Sequence, residues 1–266
     1  MEAQMNRFRG CLLGMAVGDA MGAAVEKKSY EEICEAYGPA GLLGYDTVNG
    51  LAEITSYTQL AAFTANGLLY GLTVGRSKGT MSPFINYIAR SHWEWASSQA
   101  MMDRPARTAC WVFKEKTLCR RHCLDTRMKE IILRKQFGTP EEPLNPMSTP
   151  STLTAAVAVG MFHDPENMDR QELGRLGAEA VALTHGDPMA FLPGAVIAML
   201  TSAVLRSDAP LEELVDQTMA SFREQFDRDY HRQVGKIISL VRQARELADK
   251  GYKEIVITGI EIASWG

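Results

Sequence analysis

The chain has 266 residues, 46% of them hydrophobic and 23% charged, with a formal net charge of -4. That length can bury a sizeable core in one large domain or two small ones, and the composition excludes disordered and fibrous classes. The mildly negative balance gives no electrostatic ground for nucleic-acid binding, and apolar stretches such as 155–162 fall short of the roughly 20 residues of a membrane span.

Helical periodicity dominates from the start, and an all-α fold is expected. In the first helix, about 6–22, Gly10, Gly14, Gly18 and Gly22 recur every four residues. On a helix they form one smooth stripe, so a buried helix contact is expected there. Arg7 and Arg9 precede a segment broken by Gly14, Gly18 and Asp19, which is not a secretory leader. Asp19 and Glu26 are carboxylates at the margin of an apolar helix and need a reason other than packing.

The next helices fall at about 57–72, where Thr55 or Ser56 is placed to cap, and at about 82–100. Cys119, His122 and Cys123 lie close enough together to raise a zinc site, against the alternative of a basic helical surface with two ordinary thiols. The five cysteines are odd in number and scattered. They argue for a reducing, cytoplasmic setting.

After a helix at about 125–136, the loop 138–150 carries four prolines and either borders a cleft or joins helices. Helices then follow at about 151–162, 170–184 and 189–205. Between the last two, His185 can bind a ligand or satisfy a helix end, while Asp187-Pro188 reads as a helix start. Two further stripes fill 209–226, with Asp208 placed to cap, and 231–250. No internal repeat supports a solenoid.

Three of these segments resemble one family. The string from Gly10 to Glu26, with its Gly18-Asp19 and Val25-Glu26, is similar over seventeen positions to the opening motif of the ADP-ribosylglycohydrolases, a family that includes the nitrogenase-reductase-activating enzymes. Thr55-Ser56-Tyr57-Thr58-Gln59 stands where that family typically carries Thr-Asp-Asp-Thr-Gln, and Thr184-His185-Gly186-Asp187 matches a third signature. The resemblance implies a compact, multi-helix orthogonal bundle. It also implies two magnesium ions and removal of ADP-ribose from proteins or small molecules. By the same resemblance, Asp19 and Glu26 are catalytic positions, Thr184 and His185 approach the ADP-ribose, and Thr55, Ser56 and Tyr57 stand at metal positions.

Departures from the pattern shape the expectation. Ser56 and Tyr57 replace two aspartates, removing two charges that hard cations favour. Ala155 and Ala158 stand for an arginine and a proline, although Gly160 is kept. No Asp-x-Asp-Thr segment occurs, and the chain stops at Ile262-Ala263-Ser264-Trp265-Gly266. One domain over 1–266 lacking the family's final helices is therefore expected, with magnesium weak or absent. Such a protein would be catalytically impaired and would bind an ADP-ribose-like ligand or a protein partner, with an oligomer as one way to cover the short end. The alternatives are an active magnesium-dependent hydrolase with a rebuilt metal site and an incomplete product of a longer gene.

Overall fold

A computed structural model describes residues 2–47, 50–100, 108–122 and 125–251. Within these residues the chain is all-α: nine α-helices, three short 3-10 turns and no strand. The ending at 262–266, like Cys123, lies outside the described residues.

The helices are α1 (Glu2–Gly22), α2 (Tyr30–Tyr37), α3 (Ser56–Lys78), α4 (Phe84–Gln99), α5 (Thr126–Leu133), α6 (Leu153–Phe162), α7 (Arg170–Ala182), α8 (Pro188–Arg206) and α9 (Leu211–Asp249). Most begin at a residue that the sequence supplies for the purpose. Asp169 and Glu172 form a reciprocal capping box at α7, and Asp187 accepts the Met189 N–H at 2.7 Å with Pro188 behind it. Those side chains satisfy donors that the first turn cannot pair internally. Helix α2 was not anticipated. It buries no residue, and a capping box of Ser29 with Glu32 holds it locally, so its sequence signal is the cap and not an apolar stripe.

The core lies where α3, α4, α6, α7 and α8 meet, centred on Phe63, Trp95, Phe191 and Leu192, with Phe222 of α9 closing one side. Each such side chain contributes about 1.5–3 kcal/mol by leaving water. Helix α8 is long and apolar enough to cross a membrane, a run that the sequence reading did not single out. Here half of it is buried against α6, α7 and α9. Arg206 at its end donates to the carbonyls of Gly160, Met161 and His163, closing the C-terminus of α6.

Helix α9 combines the two expected stripes across a break at Tyr230 (φ -135°, ψ 36°). The break is anchored from outside: the Tyr230 ring stands edge-on to Phe191 at 5.5 Å and its hydroxyl donates to Pro140 O at 3.1 Å. Arg245 and Asp216 pair at 2.9 Å, so the second half folds back along the first. The expected cap by Asp208 does not form. Pro210 takes the cap position, and Asp208 pairs with Arg7 instead.

The glycine stripe of α1 is also placed otherwise than expected. Gly10, Gly14, Gly18 and Gly22 are exposed, and a methyl group at any of them would meet nothing within 4 Å. No neighbour among the described residues explains them. The close approach that glycine permits is made elsewhere, where α7 crosses α8: a methyl group on Gly177 would lie 2.8 Å from Gly194 O, and one on Gly194 2.8 Å from Gly177 O. Alanine at the two sites should therefore act in opposite directions. Gly177→Ala is expected to destabilise by about 1–3 kcal/mol through overpacking, whereas Gly14→Ala should stabilise by about 0.5–1 kcal/mol through helix propensity. Urea midpoints of the two variants check this, and a destabilised Gly14→Ala would mean that the α1 face is covered.

Candidate functional site

Two of the resembling segments meet at the start of α3, and Asp19 joins them. Near the end of α1, its Oδ2 accepts the Thr55 N–H at 2.7 Å and the Thr58 hydroxyl and N–H at 2.6 and 3.2 Å, while Oδ1 accepts the Thr55 hydroxyl at 2.6 Å. Thr55 is in turn the N-cap of α3, its Oγ1 accepting the Tyr57 N–H at 3.2 Å. The carboxylate thus caps a helix other than its own, at the end where a negative charge is favoured.

Glu26 follows on an exposed turn after α1 and accepts a hydrogen bond from the Tyr57 hydroxyl. Burial pushes the Tyr57 phenol above its ordinary pKa of 10.0, and the carboxylates of Glu26, Asp19 and Asp125 push in the same direction. The phenol therefore stays neutral at physiological pH. Ser56 is the first residue of α3 and half-buried, and Thr154 on α6 donates to Tyr57 O at 2.8 Å.

His185 and Thr184 sit deeper and are buried. The imidazole is ringed by hydroxyls: Nε2 lies 2.8 Å from Thr149 and 3.0 Å from Ser151, Nδ1 2.8 Å from Thr184 and 3.3 Å from Thr152. In this structure it ties the end of the proline-rich loop to the turn after α7. Asn145 adds a bond to Thr184 O at 2.9 Å, so the loop joins elements and borders the site as well. Burial lowers the His185 pKa from 6.5 to about 4, and the charge of Asp125 offsets only part of that.

The sequence reading did not identify Asp125, Glu53 or the 120–122 segment as neighbours of this patch. Asp125 caps α5 through the Met128 N–H at 2.8 Å, and its charge reaches both Tyr57 and His185. Gln59 and Gln99 both donate to Arg120 O, at 2.7 and 3.2 Å, and Arg120 pairs with Glu53. His122, lowered in pKa chiefly by burial, feels Glu53 and Asp19, and its Nε2 has no hydrogen-bond partner among the described residues. Cys119 is directed to Val112 O at 3.6 Å. Among the described residues no group of three or more His, Cys, Asp or Glu side chains has an arrangement that could hold a metal ion.

Ala155, Ala158 and Gly160 are buried in α6. A groove of about 670 Å³ lies away from the chemistry, between α1 and α8 at Arg7, Cys11, Leu200 and Val204. The site is instead a surface on which the carboxylates of Asp19, Glu26 and Asp125 stand near the hydroxyls of Tyr57, Thr149 and Ser151, with Asp19 and Glu26 already engaged by the chain.

The histidines give the fold a pH dependence of known sign. A group whose pKa is lower folded than unfolded stabilises fully above its unfolded value and loses that contribution as pH falls. His185, at about 4, and His92, which burial lowers to about 3, both behave this way. Stability should decline as pH drops from about 6.5 toward 4, in line with the free histidine value. Urea midpoints measured from pH 7.5 to 4.5 check this, and His185→Asn should flatten the slope. A slope unchanged by that variant would show that the imidazole is not held neutral.

Neither a curated protein nor a solved structure matches the chain. A family model described as ADP-ribosylglycohydrolase matches residues 1–266. With the opening motif, the start of α3 and the Thr184-His185 turn gathered at one patch of an all-α bundle, the chain belongs to the ADP-ribosylglycohydrolase family.

Proposed function

We propose that this chain is a catalytically impaired member of its family that retains a ligand-binding or partner-binding role, cytoplasmic and with magnesium weak or absent. The observation that carries this reading is the state of Asp19. A cation site needs anionic oxygens turned toward the ion, yet both oxygens of Asp19 are directed at the donors of Thr55 and Thr58. The neighbouring positions supply a neutral serine and a neutral phenol, and Glu26 is engaged with that phenol. The residues present do not fit a pair of magnesium ions, which together would need several more carboxylates. What remains supports recognition of a polar, hydroxyl-bearing ligand such as ADP-ribose through Tyr57, Thr149, Ser151 and the nearby acceptors.

A second reading is favoured by one specific observation. Asp125 and Glu53 bring two carboxylates to the patch that the sequence did not place there. Added to Asp19 and Glu26, they are the groups from which a rebuilt magnesium site in an active hydrolase would be made.

Two measurements separate these readings. Incubation with ADP-ribosylated protein and millimolar magnesium is expected to release no ADP-ribose above the uncatalysed rate. Calorimetry is expected to detect ADP-ribose binding that magnesium does not strengthen. Release of ADP-ribose that disappears in Asp125→Asn would establish the rebuilt site instead, and absence of binding under both conditions would leave only a protein partner.

A further inference from the structure

The turn between α1 and α2, residues 23–28, is held internally by backbone bonds, such as Ala23 N–H to Asp19 O at 3.0 Å, Glu26 N–H to Gly22 O at 2.9 Å and Lys28 N–H to Val25 O at 2.9 Å. Glu26, Lys27 and Lys28 are exposed, and apolar burial does little to fix the segment. Among the described residues its side chains are held by the bond from the Tyr57 hydroxyl to Glu26 and, on the side of α2, by Lys28 over the Tyr37 ring at 5.9 Å. The two ends of that bond differ in rigidity. Tyr57 stands in the first turn of α3, which is pinned by Asp19 on one side and by Thr154 on the other, whereas Glu26 rides on the turn.

We propose that Tyr57 and Glu26 form a latch that fastens residues 23–28 over the start of α3, and that the phenol does this in place of a bound cation. A carboxylate at position 57 would set like charges against Glu26 and Asp19 and would call for a cation between them. A phenol donates instead, turning that repulsion into a charge-assisted hydrogen bond. A ligand that reaches the acidic patch must compete with this bond. The latch deepens the reading of the site as metal-poor and is tested without reference to catalysis.

The test is amide hydrogen exchange of the full chain, read by mass spectrometry over residues 23–28, together with the rate of tryptic cleavage after Lys27. Tyr57→Phe removes the donor alone and is expected to speed both several-fold with little change in the urea midpoint. Glu26→Ala should do the same, and the double variant should add nothing further, as befits two partners of one interaction. Tyr37→Phe, which removes a hydroxyl bonded to Asp46 but keeps the ring under Lys28, should leave the segment unchanged. Exchange in Tyr57→Phe equal to wild type, or additive effects in the double variant, would overturn the latch. Slowing of wild-type exchange by millimolar magnesium would show that an ion does the fastening. Release of ADP-ribose in the separate assay would bear on the function and leave the latch standing.

Discussion

Everything at the candidate site depends on how the first turn of α3 is satisfied. A helix start presents donors with no partner inside the helix, and here Thr55 accepts the Tyr57 N–H while Asp19, from the end of α1, accepts those of Thr55 and Thr58. That arrangement fixes α1 against α3, sets the direction of the turn that carries Glu26, and points the Tyr57 side chain toward it. Because the same carboxylate oxygens cannot also be turned toward a cation, the cap and the chemistry compete. In this chain the cap has the stronger geometric claim: four donors stand within 3.2 Å of Asp19.

The rest of the patch follows the same logic of internal satisfaction. His185 could in principle meet a ligand, but its two nitrogens lie among four hydroxyls of the chain and its charge is suppressed by burial. Gln59 lies in the family string next to the metal positions, and it bonds the Arg120 carbonyl and the Trp95 indole. These residues act as joints of the scaffold, which accounts for a site whose shape persists while its charges are few.

The core is indifferent to this. Its large side chains pack around α6, α7 and α8, and the close helix approach at Gly177 and Gly194 lies among those core helices, away from α1. Helix α1 touches α3 and α8 but buries little of its own surface beyond Ala20. Its link to the bundle is therefore largely polar: Asp19 at one end and Arg7 with Ser207 and Asp208 at the other. Changes in the site residues can accordingly move α1 and its turn without disturbing the packed centre.

Eight of the nine helices among the described residues were legible in the sequence through their apolar helical pattern, a local property, whereas α2, marked by its cap alone, was not. Even the break at Tyr230 fell between two stripes that the sequence separates, at 226 and 231. The family motifs were legible for the same reason, being contiguous strings such as Gly18-Asp19 and Thr184-His185. What the sequence alone could not decide was which surface each element presents. The glycine spacing of α1 is compatible with a buried stripe or an exposed one, and the structure leaves it exposed. Nor could spacing place Asp125 beside Tyr57 and His185, or turn Asp19 onto Thr55 and Thr58, since those residues are brought together by packing across 36 positions and more. Periodicity encodes an element and its apolar face, whereas the partner of a polar side chain is chosen only when the helices dock, because a hydrogen bond requires its donor within about 3 Å and no local pattern carries that distance.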